Sequence, residues 1–253
     1  MDGNRVAVVT GAGTGIGAEA AGLLSRNGLE LVLVGRRREP LEAVGAGLDG
    51  SFVAVSADLG DPAAPARIVD EALAAFGRLD VVVNNAAVIQ NGPLDSFSRA
   101  VFEHHYAVNV AGPFFLLQAA LPALRAAPDA AVVNVSSSVG SIVKQGSMLY
   151  GSSKAALEYL TRAWAYELAA DRIRVNCVAP GPVDTPIHAT YSDDLEATYA
   201  DLARRIPLQR MGHPSDLAAW IWFLVSPDSA WTTGNVIHVD GGQVLGLPED
   251  APA

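Results

Sequence analysis

Seven short apolar runs, each followed by a stretch richer in Ala and Leu or by a turn, set the main constraint on how this chain can fold. The runs are Val6–Val9, Leu29–Val34, Ser51–Val55, Leu79–Asn84, Ala131–Ser136, Ile173–Val178 and Val236–Val239. Several are continuously apolar instead of alternating, the pattern of strands covered on both faces. Between them the sequence predicts helices over about Ile16–Asn27, Pro40–Gly47, Ala63–Phe76, Phe97–Arg125, Leu149–Ala169 and Ser215–Val225. Pro128 and Pro227 lie just past two of these, where helices stop. Alternation of this kind requires parallel strands joined by right-handed crossovers. The expected fold is therefore a doubly wound parallel α/β sheet in three layers, with helices on both faces.

With 253 residues, half of them hydrophobic, the chain can bury one sizeable core, and we read residues 1–253 as a single domain. The segment from Thr185 to Arg210 breaks the rhythm with Pro186, Pro207, two tyrosines and mixed charges. It follows a strand end, where ligands bind in open α/β sheets, so it is expected to act as a lid at about 185–210. A net charge of −10 argues against a nucleic-acid partner, which needs a basic surface. No continuous apolar run approaches the length of a membrane span. The N-terminus enters a strand without a signal-like segment. The lone Cys177 sits in an apolar run and reads as a small buried hydrophobe. These features favour a cytoplasmic protein.

The first strand runs into Thr10-Gly11-Ala12-Gly13-Thr14-Gly15-Ile16-Gly17 and then a helix. Gly11 permits a tight turn, and Gly15 and Gly17 permit close backbone approach. The helix N-terminus offers free N–H groups to a pyrophosphate, as in Rossmann-like dinucleotide sites. A Gly-rich turn without a ligand is the plainer alternative, and the strand–loop–helix context argues against it. At the end of the second strand an NAD site wants a carboxylate for the ribose 2′-hydroxyl. This chain has Gly35 there, followed by Arg36, Arg37 and Arg38. Guanidinium groups suit a 2′-phosphate, so NADP is favoured over NAD.

Tyr150 and Lys154 begin a helical stretch at a spacing that puts both on one face. An ammonium beside a phenol favours phenolate, as a proton donor and acceptor for a carbonyl–alcohol interconversion requires. The chain holds only two lysines, Lys144 and Lys154, against fifteen arginines. Keeping Lys where a compact, tunable charge is useful strengthens the pairing. The strand Ala131–Ser136 runs into Ser136-Ser137-Ser138, where a hydroxyl could hydrogen-bond a substrate oxygen; an ordinary strand-end turn would look similar.

From about Val6 to Gly242 the chain resembles the short-chain dehydrogenase/reductase family. The motifs appear in family order: TGAGTGIG, Asp58, NNAA, Asn109, the serine turn, YGSSK, PGPVDT and VDGG. The resemblance implies an NAD(P)-dependent oxidoreductase with Asn109, Ser137, Tyr150 and Lys154 at the catalytic centre. Lys154 would also bind the nicotinamide ribose, and Asn109 would hold a water linking Lys154 to solvent. It implies that Asp58, with Leu59 beside it, contacts the adenine and that Asn84, Asn85 and Ala86 flank the cofactor. Pro180, Gly181, Val183 and Thr185 resemble the loop that seats the carboxamide. A homotetramer or homodimer is implied, with the Leu217–Val225 helix, carrying Trp220, Trp222 and Phe223, at one interface. Two positions depart from the pattern. Ala87 stands where NNAG is usual, and Thr14 stands where NADP-using members often have a basic residue.

The substrate is expected to be an uncharged, partly apolar carbonyl or alcohol. Val139, Ile142, Val143, Met148, Pro182, Ile187, His188, Tyr191 and Tyr199 are expected to surround it, with Ser137 and Tyr150 on its oxygen. His188 reads as a lid contact, and the sequence suggests no metal cluster. Two other functions remain open at this point: a non-catalytic cofactor-binding regulator on the same fold, and an isomerase or lyase using bound cofactor transiently.

Overall fold

The computed structural model describes residues 4–186 and 194–246. Ile187, His188 and Tyr191, three of the residues expected at the substrate, lie outside them. Seven strands form one parallel sheet in the order β3-β2-β1-β4-β5-β6-β7. They are β1 (Val6–Thr10), β2 (Glu30–Gly35), β3 (Phe52–Ser56), β4 (Val81–Asn84), β5 (Ala131–Val135), β6 (Arg174–Pro180) and β7 (Val236–Val239). The order reverses between β1 and β4, which makes that seam the switch point where open α/β sheets bind ligands.

Continuous burial follows from helices on both sheet faces. Side chains of a strand alternate between faces, and here both sets are buried. Val6 and Val8 of β1 join a core with Val82 and Val132 beneath α3 (Ala64–Phe76), α5 (Gly112–Ala126) and α6 (Met148–Glu167). Ala7 and Val9 join the opposite core, with Val83 and Val133, beneath α1 (Gly15–Arg26), α2 (Arg38–Gly45) and α8 (Pro214–Val225). The three layers expected from sequence are present.

Two departures matter for the site. The long helix expected over Phe97–Arg125 is interrupted: α4 (Arg99–Tyr106) leads into a π-helical turn, Ala107–Ala111, before α5. A π turn inserts one extra residue and rotates the side chains that follow, a feature frequent at functional sites. By length and hydropathy this composite helix could cross a membrane. Its apolar residues Leu116, Leu117, Ala120 and Leu124 are instead buried in the sheet core. The second departure is α7 (Leu195–Arg204), within the segment expected to interrupt the fold. Asp194 caps it, its side chain accepting from the N–H of Ala197 at 3.0 Å.

The seam between β1 and β4 is closed by polar stitches. Thr10 Oγ1 accepts from the N–H groups of Asn85 and Ala86, each at 3.0 Å. Asn85 Nδ2 donates back to the carbonyls of Thr10 at 2.9 Å and Gly11 at 3.3 Å. Gly11 and Gly15 have φ of 68° and 57°, conformations that favour glycine. Gly17 is needed for another reason: a Cβ there would lie 2.3 Å from the Gly11 carbonyl oxygen. Gly17→Ala should therefore lower stability by about 1–3 kcal/mol, despite the higher helix propensity of Ala. Thermal unfolding of the variant checks this; an unchanged or raised Tm would mean the loop can move aside.

Candidate active site

One cleft of about 390 Å³ opens over the carboxyl ends of the strands. Of the residues assigned to a cofactor from sequence, the glycine loop supplies Gly11, Gly13, Thr14, Gly15 and Ile16 to its lining. Gly17 packs behind the loop. Thr14, the residue before α1, makes no side-chain cap, and the first helical turn carries no acidic residue. That helix end thus keeps its N–H groups and positive dipole for an anion. The residues fit a dinucleotide: glycines where side chains would fill the cradle, and an uncapped helix end facing it.

Arg36, Arg37, Asp58 and Leu59 line one end of the same cleft. Asp58 Oδ1 also accepts from the N–H of Gly60 at 2.9 Å, which fixes the turn after β3. Arg38 is taken by Glu42, 2.7 Å away. Arg36 and Arg37 have no carboxylate partner among the described residues, and both side chains are exposed. On the other side, Pro180, Gly181, Val183 and Thr185 line the cleft. Asn85 and Ala86 line it too, whereas Asn84 lies in the sheet and donates to Asn134 at 2.9 Å. Asn84 thus steadies the sheet and leaves the cleft to its neighbour. Ala87 is not among the residues of positive φ, so Ala carries no strain there.

Tyr150, Lys154 and Ser137 meet in the middle of the cleft. The Lys154 ammonium lies 5.6 Å from the centre of the Tyr150 ring and donates to the Val135 carbonyl at 2.8 Å. Burial pushes its pKa down to about 8, with the Glu158 carboxylate, one helical turn further on, working the other way. Glu158 is buried as well and accepts from the hydroxyls of Ser136 at 2.6 Å and Ser141 at 3.1 Å. Ser136 Oγ in turn accepts from the N–H of Ser137. Ser138 donates to Gln243 at 2.6 Å. The outer two serines are therefore engaged, while the Ser137 hydroxyl donates to no acceptor among the described residues.

Asn109 sits in the π turn, fully buried. Its Nδ2 donates to the Val88 carbonyl and to Ser153 Oγ, each at 3.0 Å, and its Oδ1 accepts from the Val88 N–H at 2.9 Å. Ser153 passes the contact on by donating to the Tyr150 carbonyl at 2.7 Å. Both amide hydrogens of Asn109 are thus used on protein groups, and its side chain reaches Tyr150 through Ser153.

At the substrate end, Val139 and Pro182 line the cleft as expected. Val143 does not: it is fully exposed, because the Ser141–Gly146 loop turns it to solvent. Ile142, Met148 and Tyr199 are likewise absent from the lining. Tyr199 sits behind the lining and donates to the carbonyl of Thr185, a lining residue, at 3.4 Å. Sequence reasoning missed Asn91, Lys144, Ser147, Leu202 and Gln243, all of which line the cleft. Only Lys144 carried a signal, as one of two lysines. Cys177 is buried, and burial raises its pKa to about 11, so it stays a neutral thiol.

Known proteins share this architecture. A family model described as enoyl-(acyl carrier protein) reductase matches residues 11–243. The cis-4-hydroxycyclohexanecarboxylate dehydrogenase of Sinomonas cyclohexanicum is 38% identical over 242 residues, spanning 94% of this chain and 96% of its own. The crystal structure of levodione reductase superposes with a TM-score of 0.91 at 30% identity, over 96% of this chain and 98% of that one. That of 3-ketoacyl-(acyl-carrier-protein) reductase from Brucella melitensis, complexed with NADH, gives 0.89 at 29% identity, over 96% and 99%. The chain belongs to the short-chain dehydrogenase/reductase family. It is an NAD(P)-dependent oxidoreductase acting on small molecules.

The buried ammonium has a consequence for stability. A lysine whose pKa falls from 10.5 unfolded to about 8 folded costs stability while it is charged in both states, below pH 8. Between about 8 and 10.5 the folded protein sheds the proton first, and the cost is relieved as pH rises. Lys154→Met should therefore raise stability at pH 7 by about 1–3 kcal/mol, after loss of the bond to Val135. The gain should shrink as pH climbs above 8. Thermal unfolding of both proteins from pH 7 to 10 checks this; a variant less stable at pH 7 would show that the hydrogen bond outweighs the desolvation.

Proposed function

We propose that the protein interconverts a secondary alcohol and a ketone, with Tyr150 as the proton donor and acceptor. The observation that carries this reading is the buried Lys154 ammonium beside the Tyr150 ring, in the same cleft as the glycine loop and Ser137. In the reducing direction the substrate oxygen sits between the Ser137 and Tyr150 hydroxyls. A bound nicotinamide supplies the hydride. Tyr150 gives its proton to the oxygen as negative charge develops there, and Ser137 donates a hydrogen bond to the same atom. Lys154 stabilises the phenolate left behind by its charge. Asn109, whose side chain is spent on Val88 and Ser153, acts as a positioning residue for Tyr150. In the oxidising direction the same groups run in reverse.

The described parts of the segment at about 185–210, with Thr185, Pro186 and Leu202 of α7 on the cleft wall, serve as the lid. Self-association through α8 fits its surface, where Trp220 and Phe223 are both part-exposed and pack edge-to-face at 5.8 Å. Trp222 belongs less to that surface, being partly buried against the core. The name of the Sinomonas relative makes cyclic secondary alcohols and ketones the first compounds to try.

NADPH is the proposed cofactor. Gly35 offers the ribose no carboxylate, and Arg36 and Arg37 at the cleft end are without acidic partners among the described residues. Replacing both by Ala should weaken NADPH binding roughly ten- to a hundredfold and leave NADH nearly unchanged. Added salt should shrink the difference. Titrations showing equal affinities in the parent protein would remove the assignment to NADP.

Tyr150→Phe tests the chemistry itself. Turnover should fall by about 10²–10⁴-fold, with cofactor affinity nearly intact, because the ring and its contacts are kept. Nicotinamide absorbance on a panel of cyclic and linear ketones and alcohols measures the first quantity, and fluorescence titration the second. A variant retaining half the parent rate would sink the acid–base role.

A further inference from the structure

Both lysines of the chain reach the same cleft. Lys154 has a role in the reading above; Lys144 does not. It starts a four-residue turn that closes when the Ser147 N–H donates to the Lys144 carbonyl at 3.1 Å, with Gly146 at φ 78°. That turn is tied to the loop after β4. Gly92 N–H donates to the Gly146 carbonyl at 2.9 Å, and Ser147 Oγ donates to Asn91 Oδ1 at 3.1 Å. With its oxygen held by Ser147, Asn91 keeps its amide N–H groups without a protein acceptor among the described residues. The Lys144 ammonium has no ion-pair partner among them either. The carboxylate that acts on it, Asp201, is claimed by Arg204 at 3.3 Å and Arg205 at 3.0 Å.

The cleft therefore presents an exposed cation and an exposed amide donor, each without a protein acceptor among the described residues, on two loops fixed to each other. Lys144 is exposed at the cleft wall; local desolvation there and the nearby Arg205 hold its pKa below the ordinary lysine value, with Asp201 opposing them, so an added anion would relieve the site. We propose that Lys144 and Asn91 form a subsite for a substrate carboxylate, so that the preferred substrates are oxo- and hydroxy-carboxylates. This rests on the alcohol–ketone reading and revises the uncharged ligand expected from sequence. Val139 and Pro182 are left to flank the carbon skeleton.

The test compares 4-oxopentanoate, 5-oxohexanoate and 6-oxoheptanoate with their methyl esters in the parent protein, Lys144→Met and Lys144→Arg. At least one acid should have a KM about ten- to a hundredfold below that of its ester. Lys144→Met should abolish that ratio by raising the KM of the acid, with kcat changed by less than about threefold and the ester unaffected. Lys144→Arg should restore most of it. NADPH affinity should be the same in all three proteins; a shift in Lys144→Met would assign the ammonium to the cofactor and overturn the proposal. Equal KM values for every acid and ester in the parent, or a ratio that survives Lys144→Met, would overturn it as well. Calorimetry with the same acids on the protein holding NADP⁺ needs no turnover. If no ketone is reduced, the alcohol–ketone reading fails, while acid binding that depends on Lys144 would still uphold the subsite and its absence would reject it.

Discussion

The hydrogen bonds between Thr10 and Asn85 hold the structure's central seam. Where β1 and β4 end, the chain departs in opposite directions, and nothing in a parallel sheet closes the gap between them. The Thr10 hydroxyl, buried in the sheet, takes two main-chain N–H groups from the far side, and Asn85 returns two bonds to the near side. Each is worth only about 0.5–1.5 kcal/mol net, yet together they decide where the glycine loop lies. The loop must then pass so close to α1 that only Gly is tolerated at position 17. The cradle for a dinucleotide is a by-product of stitching that seam.

A second polar ladder runs through the sheet toward α6. Asn84 donates to Asn134, which donates to Thr161, which donates to the Leu157 carbonyl. The Asn84 and Asn134 side chains sit on paired residues of β4 and β5. Beside this ladder, Glu158 holds Ser136 and Ser141. Helix α6 is thereby locked in register against β5 by groups that would be costly to bury unpaired. That locking fixes the distance between the Ser137 turn and the Tyr150–Lys154 face, which packing of Leu and Val alone would leave free to slide.

The five inner strands were readable from sequence because burial on both faces leaves an apolar signal that polar loops interrupt, while the edge strands β3 and β7, only partly buried, were readable from β-branched residues set between turns. The glycine loop, Tyr150, Lys154 and Ser137 were readable because their chemistry demands particular residue types at fixed spacings. What escaped was of another kind. The π turn at Ala107–Ala111 has no composition of its own, since one inserted residue leaves the apolar period almost unchanged. Helix α7 was hidden by Pro186, Pro207 and the charges around it, although Asp194 is a recognisable cap. Val143 looked like pocket lining because apolar residues near a site suggest it, but hydrophobicity does not say which way a loop residue points. Asn91 and Ser147 are polar residues in loops, ordinary until tertiary contact joins them.

The pairing of the loop after β4 with the turn at 144–147 has a consequence for how this protein could change. The two segments are bonded to each other through Gly92, Gly146, Asn91 and Ser147, and each is also tied to the proton-handling side, Val88 to Asn109 and the Ser147 carbonyl to the Gly151 N–H at 2.7 Å. The part of the cleft that meets the substrate is thus mechanically coupled to the part that handles the proton. Selection, or a designer, seeking a new ligand range would have to change both loops together and keep the main-chain bonds at Val88 and Ser147, or the geometry around Tyr150 would move with them.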